Sequence, residues 1–114
     1  MKIEKSENIA KRPVEIEGAK DTGIRWLISK EDGAENFAMR MFEIQPGGHT
    51  PLHTHPHEHE IFAVEGEGVL VYEGKEYEFG KDYVILVPGG KEHRFRNRGD
   101  SVLKLLCLIP MAAV

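Results

Sequence analysis

Glycine and proline punctuate this chain so closely that no long helix can run through its middle. They fall at Pro46-Gly47-Gly48, Pro51, Pro56, Gly66, Gly68, Gly74, Gly80 and Pro88-Gly89-Gly90. Proline fixes φ and removes a backbone donor, and glycine opens turn conformations, so both end regular structure. The segments between them alternate apolar and polar residues at period two rather than at helical spacing. Strands are expected over about 24–29, 36–44, 49–55, 58–65, 68–73, 76–79, 83–87, 93–97 and 102–109. Many short strands with frequent turn signals form an all-β sandwich or barrel. The clearest hairpin is VLVYEGKEYEF, turning near Glu73-Gly74-Lys75.

The chain's 114 residues suit one domain with its own core, and 40% hydrophobic with 30% charged residues is an ordinary globular balance. Residues 23–114 carry the strand pattern and are expected to form the barrel. Residues 1–22 are polar and weakly patterned, and are expected to be an N-terminal arm packing on a second copy in a homodimer. The longest apolar runs, Tyr83 to Val87 and Leu105 to Ile109, are strand-sized and too short to span a bilayer. The opening residues MKIEKSENIAKR show no apolar secretion signal, so a cytoplasmic chain is expected. A net charge of −4 argues against a nucleic-acid partner. The single cysteine, Cys107, excludes an internal disulfide framework. One glutamine and three asparagines beside plentiful Glu, Lys and Arg resemble thermophile usage.

Five of the six histidines lie between positions 49 and 59, in HTPLHTHPHEHE. On a strand, His53 and His55 project from one face and can reach a common point. Pro56 breaks the chain directly after them. His59 heads the next strand, where an inward side chain returns to that point, whereas His57 sits at the turn and is expected outside the cluster. A remote partner comes from HRFRNR. Three guanidiniums at Arg94, Arg96 and Arg98 would not fill a small barrel, so His93, Phe95 and Asn97 face inward. Glu76 and Glu78 are the expected cross-strand partners of those arginines. In VLKLLCLIP, an outward Lys104 turns Leu103, Leu105 and Cys107 inward, so Phe95, Asn97 and Cys107 are expected to line the pocket. His49 is expected on the surface.

Gly47, five residues, His53-Thr54-His55, three residues, His59, six residues and Gly66 resemble the first cupin motif. Pro88-x-Gly90, two residues, His93, three residues and Asn97 resemble the second. Both motifs in order, from Gly47 to Asn97, identify the chain as similar to the cupin superfamily. The resemblance implies a single jelly-roll β-barrel with a metal held by His53, His55, His93 and the residue at position 59. Most members carry Glu there; a competing alignment takes Glu60, but the spacing to Gly66 favours His59. The four-histidine set resembles that of small single-domain cupins from thermophiles that bind manganese.

Four neutral imidazoles leave a divalent ion its full charge. Imidazole suits Mn, Fe, Ni, Cu or Zn, and manganese is the ion the resemblance points to. An ion with open positions can polarise a chelating oxygen ligand or support dioxygen chemistry. The leading expectation is a dioxygenase-type oxidoreductase acting on a small oxygen-rich molecule. A metal-dependent isomerase or decarboxylase and a non-catalytic small-ligand-binding module are the alternatives. No catalytic acid or base is assignable, because the parity of Glu58 and Glu60 points them away from the cluster.

Overall fold

Nine strands and three single turns of 3-10 helix make up the computed structural model, which describes residues 1–114. The strands are β1 (Arg12–Pro13), β2 (Lys20–Ile28), β3 (Phe37–His49), β4 (His59–Glu65), β5 (Glu67–Tyr72), β6 (Lys75–Gly80), β7 (Val84–Val87), β8 (His93–Asn97) and β9 (Leu103–Pro110). They form one curled antiparallel sheet in the order β6-β5-β8-β3-β9-β4-β7, with β2 added to β3 and β1 to β2. The expected all-β, jelly-roll barrel is thus the fold. No helix is long and apolar enough to cross a membrane.

Strand β3 bends the sheet because it changes partners along its length. Phe37 to Ile44 pair with β9, while His49 pairs with Arg96 of β8. Pro46-Gly47-Gly48, read from sequence as a break, lies inside this strand. The register against β2 jumps from Thr22↔Ile44 to Lys20↔His49, so residues 45–48 bulge out opposite Asp21 and the proline needs no ladder partner. Gly47 takes φ +80°, and a Cβ on Gly48 would stand 2.7 Å from the Lys20 carbonyl oxygen. Only glycines allow that approach.

The strand expected over 49–55 does not form. Pro51 and Pro56 remove two donors, and the segment keeps one bridge, in which the His53 and His93 backbones exchange hydrogen bonds of 3.2 and 3.0 Å. Strand β2 also starts earlier than expected, at Lys20, where its end is fastened to His49.

Elsewhere alternation sets the faces. Strand β4 buries His59, Ile61 and Ala63; β8 buries His93, Phe95 and Asn97; β9 buries Leu103, Leu105, Cys107 and Ile109. On the outer face of β8, Arg96 reaches Glu76 at 3.2 Å, and Arg98 reaches Glu67 and Glu78 at 3.8 and 3.9 Å. Exposed pairs of this kind stabilise little, but keeping the guanidiniums in water commits the opposite face of the strand to the interior. The β5–β6 hairpin turns on Glu73 and Gly74, both at positive φ, which is the pattern of a two-residue type I′ turn.

Residues 1–22 lie along their own barrel. Strand β1 pairs with β2, Lys2 meets Asp32 at 3.0 Å, and Arg25 donates to the Ile9 carbonyl and to Glu43 at 2.6 Å. This path carries residues 13–16 to the wall of a cavity in the barrel.

Candidate metal and ligand site

Two chain segments meet to make the site, and a glycine permits the meeting. A Cβ on Gly89 would lie 2.1 Å from the Pro56 carbonyl oxygen, and the Gly90 N–H donates to the His55 carbonyl at 2.8 Å. The Pro88-Gly89-Gly90 turn therefore docks on the backbone of His55-Pro56-His57. That contact, with the His53–His93 bridge, gathers imidazoles that are far apart in sequence.

The ring centroids of His53, His55, His59 and His93 are 4.4 to 5.2 Å apart in the pairs 53–55, 53–93, 55–59, 55–93 and 59–93. Donor atoms of His53, His55 and His93 all lie within 4.8 Å of one another. So do those of His55, His57 and His59. His57, expected outside the cluster, stacks on His55 with centroids 3.8 Å apart and planes 5° from parallel. His59 is buried, while Glu60 takes the outward register of β4 opposite Leu108. His49 is half-buried, with its Nδ1 3.3 Å from the Thr50 carbonyl, away from the cluster.

Hydrogen bonding decides which nitrogen each ring presents. Nδ1 of His55 lies 2.9 Å from the His57 carbonyl, and Nδ1 of His93 lies 2.8 Å from the Lys91 carbonyl. A carbonyl only accepts, so each Nδ1 carries the proton and each Nε2 keeps its lone pair. Those two Nε2 atoms are buried and have no hydrogen-bond partner. Buried polar atoms are rarely left unpaired, and inward lone pairs on tautomer-fixed imidazoles are the arrangement a metal uses. The donor set therefore fits a divalent transition ion. For His59 the partner of Nδ1 is the Cys107 sulfur, 3.6 Å away.

Burial and the neighbouring positive groups hold His53, His57, His59 and His93 neutral. His53 keeps an exposed edge, yet partial burial first, then His93, His55, Arg40 and His57, lower it to about 4. Burial, then Arg40 and the other histidines, lower His59 to about 2. His57 and His93 are lowered as well, again chiefly by burial. An unfolded histidine titrates near 6.5, so above that pH neither state gains protons and stability is flat with respect to these groups. Below it the unfolded chain takes up protons that the folded chain resists, and stability falls as pH drops toward 4. The urea midpoint of metal-free protein is expected to be lower at pH 5 than at pH 7.5. An unchanged midpoint would contradict this burial.

The histidines line one side of a cavity of 560 Å³. Its other walls include Trp26, Phe42, Ile61, Phe95, Leu105 and Ile109, which make it largely apolar. Phe95 stands edge-on to His93 at 6.3 Å and to Phe79 at 6.1 Å, joining the cluster to the core. Phe95 and Cys107 line the cavity. Asn97 does not, although its register turns it inward: its amide donates to the Ile44 and Ser101 carbonyls and accepts from Gly99, each at 2.8 Å. It ties β3, β8 and the following loop together.

Sequence reasoning missed Arg40. It shares the inward register of β3 with Ala38, Phe42 and Ile44, and its guanidinium donates to the Cys107 sulfur at 3.0 Å. The signal was present in AMRMFEI, where a charge occupies the same parity as Ala, Phe and Ile. Burial raises the Cys107 thiol, so it stays protonated despite the arginine beside it.

Residues 40–109 match the family described as cupin domain. A 1-methylthio-D-xylulose 5-phosphate methylsulfurylase from Rhodospirillum rubrum is 33% identical over 76% of this chain and 66% of its own length, so the chain spans less than two thirds of that relative. An oxalate-binding protein from Thermotoga maritima is 31% identical over 96% of this chain and 93% of its own. Among solved structures, the polyketide cyclase RemF from Streptomyces resistomycificus superposes with a TM-score of 0.92 and 35% identity, covering 97% of this chain and 80% of that one.

Proposed function

Since the chain belongs to the cupin domain family, we propose that it is a metal-dependent cupin enzyme acting on a small oxygen-rich molecule held in the histidine-lined cavity. His53, His55, His59 and His93 are assigned as the ligands of a divalent transition ion, with manganese the first candidate. The observation that carries this is the pair of buried, unpartnered Nε2 atoms on His55 and His93, whose Nδ1 atoms are tied to backbone carbonyls. When bound, such an ion supplies a Lewis acid that polarises a chelating oxygen.

The chain's own residues do the rest. The Lys91 and His57 carbonyls fix two rings, and Cys107 positions a third through its 3.6 Å contact. Trp26, Phe42 and Phe95 keep water from the cavity wall and strengthen electrostatics inside it. Glu58 and Glu60 are exposed and directed outward, so neither serves as a general base. Oxygen-rich small molecules are named for the methylsulfurylase and oxalate-binding relatives, which supports this substrate class. A methylsulfurylase and a polyketide cyclase among the similar proteins support a reaction that does not consume dioxygen over the dioxygenase-type one. A homodimer, with residues 1–22 of one copy packed against the other, is part of the same proposal.

The test incubates manganese-loaded protein with oxalate, acetylacetone and catechol, with and without oxygen, and follows products by mass spectrometry. Turnover that survives oxygen removal and is abolished in His59→Ala is expected. Turnover that requires oxygen would restore the dioxygenase reading, and saturable binding without product would make the chain a binding module.

A further inference from the structure

We propose that Arg40 anchors an anionic oxygen group on the cavity's ligand, and that this ligand is a ring-bearing carboxylate rather than a two-carbon dianion. The inference rests on the reading that this cavity is the ligand site. Arg40 is a cation in an apolar setting, and such a charge is expensive unless it is paired. Other arginines meet their needs within the chain: Arg25 pairs with Glu43, Arg96 with Glu76, and Arg98 with Glu67 and Glu78. Arg40 has no carboxylate partner. Its Nη2 donates to the Cys107 sulfur, a weak acceptor, and its Nε is buried with no acceptor at all. Glu15, the one acidic side chain lining the cavity, makes no ion pair with it.

What surrounds Arg40 holds it in place without neutralising it. Its guanidinium lies 5.5 Å from the Trp26 ring centroid and 5.0 Å from that of Phe42, contacts that orient a cation but leave its charge intact. The strand registers align Trp26, Arg40, Cys107 and Ile61 in one cross-strand row, and all four line the cavity. Cys107 bridges the two halves of the site, touching Arg40 at 3.0 Å and His59 at 3.6 Å. A ligand at the histidines therefore has this guanidinium within reach. A planar guanidinium fork matches a carboxylate. A dianion the size of oxalate would leave most of a 560 Å³ apolar-walled cavity unfilled, whereas a ring would cover the walls.

Trp26 is the chain's single tryptophan and touches Arg40, so its fluorescence reports on the site directly. Benzoate is titrated into the unmodified chain, into Arg40→Gln and into Arg40→Lys, with benzamide as the uncharged isostere and oxalate as the small dianion. Metal content is measured on the same samples. The unmodified chain is expected to bind benzoate about 10-fold or more tightly than benzamide, as a hydrogen-bonded charge pair implies. Arg40→Gln should remove that preference without weakening benzamide, and Arg40→Lys should keep part of it. Equal affinity for benzoate and benzamide in the unmodified chain would overturn the assignment even if Arg40→Gln does not fold. A charge preference that persists in Arg40→Gln would overturn it too. Tighter binding of oxalate, or no saturable quenching at millimolar benzoate, would overturn the ring-bearing class. Loss of the Arg40 effect with the ion retained refutes only this inference. An Arg40-dependent preference in protein that retains no ion after exposure to manganese, iron and zinc refutes only the metal reading.

Discussion

Replacing His93 with alanine is expected to abolish tight metal binding while leaving a folded barrel. His93 is 1% exposed, its Nδ1 is fixed by the Lys91 carbonyl, and its Nε2 is one of the two orphaned nitrogens of the cluster. It is also the one candidate ligand contributed by β8, and without it only the His55, His57 and His59 trio remains, which holds just one of the two orphaned nitrogens. Losing a group that merely orients a ligand lowers metal affinity roughly 10–100-fold; losing the ligand itself should exceed that. The backbone bridge between His53 and His93 survives the substitution, because it uses no side chain. Cooperative urea unfolding should therefore persist, and calorimetric titration should show the metal affinity gone. Unchanged metal affinity in folded His93→Ala would remove this residue from the ligand set.

The second large effect is expected at a residue with no functional group. In Gly89→Ala the new methyl would stand 2.1 Å from the Pro56 carbonyl oxygen and 2.9 Å from its carbonyl carbon. Both are backbone atoms, so no side chain can swing aside. The turn must lift, and the 2.8 Å hydrogen bond from Gly90 to His55 lengthens with it. Overpacking of this kind costs about 1–3 kcal/mol, and here the displaced segment also carries His55 and His57. Stability and metal affinity should fall together. Gly74→Ala is the control: its φ of +78° strains alanine, but no atom lies within 4 Å of the added Cβ. That variant should lose stability and keep its metal affinity. Parallel urea and metal titrations of the two proteins separate these outcomes.

Sequence showed most where polar and apolar residues were forced onto opposite faces. The arginines at 94, 96 and 98 left His93, Phe95 and Asn97 only the interior, and Lys104 did the same for Leu103, Leu105 and Cys107. His59 entered the cluster through the β4 register, which sends Glu60 outward. Legibility ended where tertiary contacts overrode local signals. Pro46-Gly47-Gly48 reads as a break, yet β3 carries it as a bulge because β2 lies alongside. His53 and His55 meet without the strand that was expected to align them, since the docked Pro88-Gly89-Gly90 turn does that work. His57 joins the cluster by stacking, which parity does not encode. Asn97 was legible as inward but not as a bridge between strands. Arg40 was hidden by the habit of assigning charges to solvent; its neighbours in register are what place it inside.

The proposed metal centre is tested most directly by the ion content of the chain. Purified protein is stripped with chelator, exposed separately to manganese, iron and zinc, desalted, and assayed for bound metal. The four-histidine assignment predicts one ion per unmodified chain with at least one of these metals, and none in His93→Ala. A folded, unmodified chain that retains no ion after all three exposures would contradict it.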